Sequence, residues 1–279
     1  MSNSEINITY VLYEGKHDAA LLTRLLRENG YSNYTDKKID DFPTSIKGFL
    51  SSKIKNFVYE DENNIYQKPQ LPNAICKCKT EDKWFLFYEM GGDSKVKYVK
   101  NIIKGIAKKE SGFSGEQSFE TDNLASLALF FDADESLAKR KEKFTNNYTD
   151  TLSSFCKNVS VSNSYKIQST DQDGFSKIGL YIYGADTGSG TLEDIVIPLM
   201  KKNNETVFLE ANNFLENQMN AQTYSNSSKK GKALIGVVGQ IEHQGKANQV
   251  IISDTKLITK GKFSADATFK EILSFFESF

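Results

Sequence analysis

The chain alternates short, densely apolar runs with amphipathic stretches, and the period of the apolar positions assigns most of them. Ile6 to Tyr13 is dominated by β-branched and aromatic residues and predicts a first strand. Leu21, Leu22, Leu25 and Leu26 then recur at helical spacing, with Asp18 as a cap and Gly30 as a stop. Ser45 to Tyr59 is compatible with a helix. The polar stretch 60–73 carries two prolines and reads as an exposed loop. Ala74–Cys78 and Lys83–Tyr88 read as two strands of a hairpin around Thr80-Glu81-Asp82. Val96, Val99, Ile102, Ile103 and Ile106 form one face of a helix, and Lys97, Lys100, Lys104 and Lys108 form another.

A Gly- and Ser-rich loop, 110–123, precedes the apolar strand 125–131, and Ser136–Phe144 reads as a helix carrying Lys139, Arg140, Lys141 and Lys143. The segment 146–172 is polar, with weak strand signals at 159–161 and 165–167. Ile178–Tyr183 is a clearer strand. It runs into the glycine-rich loop 184–190 and a helix opening at Thr191. There Thr191 and Asp194 have capping-box spacing, and Pro198 should shorten or kink the helix. Helices are expected over 205–218 and 267–279, the last burying Phe269, Ile272, Leu273 and Phe276, with an apolar stretch 233–238 between them. No internal repeat or linker divides the chain. Strands alternating with helices make the class α/β with a largely parallel sheet, in a single unit spanning 1–279 with insertions at 60–73 and 146–172.

Composition narrows this picture rather than redirecting it. Lys and Arg number 35 against 36 Asp and Glu, so a nucleic-acid-binding role would need local basic patches. Three cysteines, two of them the closely spaced Cys76 and Cys78, make neither a disulfide framework nor usual zinc spacing. The N-terminus lacks a signal-peptide apolar core, and no apolar run nears the ~20 residues that span a bilayer. A reduced, cytoplasmic setting is expected.

The chemistry concentrates where apolar runs end in acids. Leu127 to Phe131 gives way to Asp132-Ala133-Asp134-Glu135, Tyr10 to Tyr13 to Glu14-Gly15-Lys16-His17-Asp18, and the 184–190 loop to Glu193-Asp194. Buried strands of an α/β sheet deliver such residues to a crevice. On a continuing strand Asp132 and Asp134 would share a face, and paired carboxylates of that kind suit Mg²⁺ or Mn²⁺ and a bound phosphate. Each piece also has a plain reading: a helix cap at Asp132–Asp134, a surface turn at Glu14–Lys16, and acids favoring a helix N-terminus at Glu193 and Asp194. His17 reads as a surface or capping residue, with phosphate contact beside Glu14 as the alternative. Lys16 and Lys232 are the best phosphate-contact candidates, and the Lys97–Lys108 stripe with Arg140 is a candidate path for a nucleic-acid backbone, or simply a solvated face.

A hydrophobic strand ending in Glu14-Gly15 with Asp18 behind it, then much later a strand ending in Asp132-x-Asp134, resembles the Toprim domain of topoisomerases, bacterial primases and overcoming-lysogenization-defect nucleases. Gly190 to Asp194 and the Lys232 region resemble small standalone Toprim-like proteins of bacteria and phages, so the resemblance runs over roughly 8–275. It implies a compact Toprim/Rossmann-like fold with about four parallel strands, and Mg²⁺ or Mn²⁺ held by carboxylates. Glu14 would act as general acid/base or metal ligand, Asp132 and Asp134 would hold metal, Glu193 or Asp194 would complete a second metal position, and Lys232 would serve catalysis. The implied activity is a metal-dependent nuclease acting on DNA or RNA (tRNA among the candidates), linked to phage defence, in some relatives under an ATPase partner, with a homodimer possible. The alternatives are a non-catalytic module that binds nucleic acid or a partner protein and, ranked last, a primase-like polymerase role. Ala185-Asp186 stands where such relatives have a proline before the acid, and the segment after Lys232 lacks their tryptophan.

Overall fold

The structure is a computed structural model and describes residues 6–57, 69–92, 95–107, 125–153, 165–169, 174–218 and 227–279. Its strands are β1 (Asn7–Tyr13), β2 (Tyr31–Asn33), β3 (Ala74–Cys78), β4 (Lys83–Glu89), β5 (Ser126–Asp132), β6 (Tyr165–Ser169) and β7 (Lys177–Tyr183). They form one seven-stranded sheet in the order β2-β3-β4-β1-β5-β7-β6. The inner run β4-β1-β5-β7 is parallel, as the apolar runs predicted. The edges are antiparallel: β3 pairs with β4 as the expected hairpin, β2 with β3, and β6 with β7. The fold is therefore α/β with a mixed sheet around a parallel center.

The described helices are α1 (Lys16–Glu28), α2 (Thr44–Lys55), α3 (Val96–Ala107), α4 (Leu137–Tyr148), α5 (Leu192–Lys201), α6 (Glu205–Gln218), α7 (Ser227–Gly239), α8 (Asn248–Asp254), α9 (Lys260–Ala265) and α10 (Ala267–Glu277). Period-2 alternation sorts them onto two faces. Val11, Tyr13, Phe85, Phe87, Ala128, Phe130, Tyr181 and Tyr183 point to a core shared with α1 and α5–α10. Tyr10, Leu12, Trp84, Leu86, Leu127, Leu129, Phe131, Leu180 and Ile182 point to the other, shared with α2, α3 and α4. Helix α10 closes the first core. Phe275 and Phe276 pack against Phe130, with ring centroids 5.2 and 5.4 Å away. Lys83 Nζ and Lys177 Nζ donate to the carbonyls of Glu277 (3.1 Å) and Ser278 (2.7 Å), cations set against the negative end of the helix.

Pro198 lies inside its helix, and α5 continues three residues past it, with Lys202 N–H donating to the Pro198 carbonyl. The stretch led by Lys229 and Lys230 is the helix α7. The loop 110–123, Lys108, the third cysteine (Cys156), the strand signal at 159–161 and most of the 60–73 loop lie outside the described residues. Among the described residues no helix is long and apolar enough to cross a membrane.

Candidate functional site

The parallel strands fix where a site can form. Taken in chain order they are β1, β4, β5 and β7, yet β4 lies on one side of β1 and β5 on the other. The order reverses between β1 and β5, and in an open parallel sheet this reversal leaves a crevice at the carboxyl ends of the two strands. Glu14 leaves β1 at that edge, and Asp132 is the last residue of β5.

The expected geometry of the Asp132–Asp134 pair is corrected here. β5 stops at Asp132, and Asp134 takes the left-handed conformation (φ 52°) that Asp tolerates better than most residues. Asp134 and Gly190 exchange N–H to carbonyl bonds of 2.9 and 2.8 Å, which clamp the 184–190 loop onto the end of β5. Gly184 (φ 75°) makes this loop possible, because a Cβ there would lie 2.3 Å from the Ser189 carbonyl oxygen. With the strand broken, the two aspartates part company.

Asp132 turns inward. Its Oδ1 accepts the Leu192 N–H at the start of α5 (2.8 Å). Burial, and then the nearby charges of Asp18, Glu14 and Glu193, push its pKa up to about 9 against that bond. Asp18, on the first turn of α1, accepts the Gly15 N–H at 2.9 Å. Burial, reinforced by Glu193, raises it to about 7 even so. Glu193 is 3% exposed, and burial alone would raise its pKa. His17 and Lys232 outweigh burial and hold it below the usual range: His17 Nδ1 lies 3.1 Å and Lys232 Nζ 3.9 Å from Oε1. Ser228 Oγ donates to Oε2 at 3.3 Å. Gly231 lets α7 come this close, since a Cβ there would sit 2.9 Å from Glu193 Cβ. The Tyr183 hydroxyl is buried without a hydrogen-bond partner among the described residues, and the charges of Asp18 and Asp132 bear on it.

Asp134 turns outward. Arg140, on α4, pairs through Nη1 with Glu14 Oε1 (3.1 Å) and through Nη2 with Asp134 Oδ2. Its guanidinium carbon lies 5.7 Å from the Phe131 ring centroid. Glu14 and Arg140 line a cleft with Met90, Gly92, Val96 and Lys143.

The candidate residues thus fall into two groups. Asp132 and Glu193 come together with Asp18, and Lys232 reaches them from α7. Glu14 bridges that cluster and the rim pair Arg140–Asp134. Asp194 is not part of either: its Oδ2 accepts from Thr191 N (2.8 Å) and Thr191 Oγ1 (3.1 Å), closing the cap of α5. Arg140 is buried rather than displayed along a nucleic-acid path, and Lys100 is paired with Asp150 at 2.8 Å. Lys16, Lys97 and Lys104 are not buried. His17 pairs with buried Glu193 instead of facing solvent, while Asp18, read as a helix cap, is also a member of the cluster. Ser228 and Tyr183 were not singled out by sequence. The signal for Asp18 was its place one helical turn after Glu14, Glu-x-x-x-Asp. Among the described residues no three His, Cys, Asp or Glu side chains form a ready metal cage.

Comparison with known proteins adds a family and a distant likeness. The crystal structure of a hypothetical protein from Pyrococcus horikoshii OT3 is similar at 13% identity and a TM-score of 0.46, over 98% of this chain and 95% of that one. No curated protein matches. Residues 9–277 match the family described as "Protein of unknown function (DUF3226)", and the chain belongs to that family.

Proposed function

We propose that the chain is a Toprim-like, divalent-metal-dependent phosphodiesterase acting on nucleic acid, with its center at the carboxyl ends of β1 and β5. The observation that carries this reading is the concentration of Asp18, Asp132 and Glu193 beside Glu14 at the reversal of strand order. Burial, and after it the mutual repulsion of these acids, raises Asp132 to about 9 and Asp18 to about 7. A cation is the ordinary remedy for such a deficit, and hard oxygen donors suit Mg²⁺ or Mn²⁺. No three of these side chains stand at the spacing of a metal cage among the described residues, so Asp132, Asp18 and Glu193 would have to draw together to hold the metal. Bound there, it would supply charge stabilization at a phosphoryl oxygen and a more acidic water.

The protein's own residues would do the rest. Glu14, at the rim, would relay a proton. Lys232 and Lys16 would meet phosphate oxygens, with Lys97 and Lys104 extending the positive surface for the backbone. His17 keeps Glu193 ionized and therefore able to act as a ligand. A second reading, a nucleic-acid- or partner-binding module without turnover, is favored by one observation: Arg140 already pairs with both Glu14 and Asp134.

The test is incubation of the purified protein with single-stranded DNA, double-stranded DNA and tRNA in Mg²⁺ or Mn²⁺, beside EDTA. Cleavage is expected to need metal and to fall at least about a hundredfold in Asp132→Ala and in Glu14→Gln, with circular dichroism unchanged. Cleavage retained in both variants would remove the assignment. Binding without cleavage, insensitive to Asp132→Ala, would establish the second reading.

A further inference from the structure

Among the described residues Tyr98 is one of the few large apolar side chains left open to solvent, at 40% exposure. It stands on the first turn of α3, off the buried face formed by Val99, Ile102 and Ile103. Its phenol lies toward the carboxyl end of β4. Burial and the charge of Glu89 raise its pKa, and it bears in turn on the hydroxyls of Tyr13 and Tyr88. Glu89 pairs in register with Tyr13 of β1, and Glu14 follows, its carbonyl accepting the Gly91 N–H at 3.2 Å. The ring therefore sits one strand away from the acid at the crevice.

Positive charge flanks this ring. Lys97 and Lys104 are exposed on the same helix, and Lys95, Gly91 and Gly92 are exposed just before it. A Cβ at Gly92 would meet nothing within 4 Å, so the surface between α3 and the end of β4 is open. An exposed ring beside ammonium groups suits a single strand of nucleic acid: the ring stacks on a base, and the lysines meet the phosphates. A duplex offers the same lysines its backbone but keeps its bases stacked on one another. We propose that Tyr98 is the stacking platform for an unpaired base, and that the nucleic acid drawn to this site is single-stranded. The proposal rests on the nucleic-acid part of the reading above and needs neither metal nor cleavage.

Binding measured in EDTA tests it, by fluorescence anisotropy of a short labeled oligonucleotide, free or annealed to its complement. Wild type is expected to prefer the single strand. Tyr98→Ala should weaken single-strand binding about tenfold and leave duplex binding unchanged, while Tyr98→Phe keeps both. Lys104→Ala should instead weaken both forms and lower the salt slope by about one. Tyr98→Trp gives a direct readout. Trp84 is the chain's one tryptophan and is 1% exposed, so the introduced indole reports from the surface, and a stacked base should quench it. Single-strand affinity unchanged in Tyr98→Ala, or a fall shared equally by the duplex, would overturn the stacking role and leave the nucleic-acid reading standing. An unquenched indole in a Tyr98→Trp protein that binds the oligonucleotide would do the same. Wild type that binds neither form would overturn both.

Discussion

Asp132→Asn is expected to stabilize the metal-free protein by about 3 kcal/mol near pH 8, although the residue it replaces sits at the heart of the proposed site. Asp132 rises from an ordinary value of 3.8 to about 9 in the fold, chiefly by burial and then by Asp18, Glu14 and Glu193. Between those two values the native state holds a proton that the unfolded chain has released. Stability contributed by this group is full below about 4 and is lost as pH rises toward 9. Asp18 behaves the same way over a narrower window, up to about 7. Glu193 has the opposite sign. Its lowered pKa costs stability only as pH falls through the ordinary carboxylate range and below, so it does not mask the trend at higher pH.

The metal-free wild type should therefore lose stability steadily from about pH 5 to about pH 9, and Asp132→Asn should flatten most of that slope. Asparagine keeps an oxygen for the Leu192 N–H and removes the charge. Metal nearly closes that gap. Mn²⁺ at about a hundred times its dissociation constant would add about 2.7 kcal/mol to the wild type and little to the variant. Urea titrations at several pH values, in EDTA and in Mn²⁺, measure both effects. A variant less stable than wild type at about pH 8 in EDTA would mean that Asp132 is a structural acid whose charge the fold already satisfies.

Why was this cluster only half legible in the sequence? The ends of β1 and β5 were readable because an apolar run that stops abruptly in acids is a local signal, and the periods of β7 and of α1 were equally clear. The partners of those acids were not local. Whether Asp134 stays on the strand depends on its bridge to Gly190, made by a loop that arrives 56 residues later in the numbering. The Thr191-x-x-Asp194 spacing already marks Asp194 for the cap, but only the packing of α1 and α7 shows that Glu193 is left to face His17. Arg140 lies in a basic run that reads as solvated until Phe131 and the two rim acids are packed around it. Helix α7 was missed because its lysine-rich start and interior glycines weaken the pattern, and Gly231 is there for the approach to Glu193. The three-residue edge strand β2 is too short to carry a period at all.

Gly179→Ala should be strongly damaging, with an expected loss of about 3 kcal/mol and a fall in the thermal midpoint on the order of 8 °C. Gly179 lies within β7, opposite Ala128 of β5 and Ile167 of β6. A methyl group there would come 2.5 Å from Phe279 Cζ and 2.8 and 2.9 Å from two ring atoms of Phe275. These rings have nowhere to retreat. Phe275 is fully buried and meets Phe130, Tyr181 and Phe279 at centroid distances of 5.2, 5.7 and 5.2 Å. The carbonyls beyond Phe276 are also pinned by Lys83 and Lys177, so the end of α10 cannot slide away cheaply. Gly261→Ala is the matching control. Gly261 is in helix α9, its nearest neighbor for a Cβ is Thr259 Oγ1 at 4.0 Å, and its φ is not in the left-handed region. There the methyl meets no obstacle and removes backbone freedom from the unfolded chain, so a gain of about 0.5 kcal/mol is expected. Thermal unfolding of both variants beside the wild type decides the matter. An unchanged midpoint for Gly179→Ala would mean that α10 does not press its aromatic end onto β7.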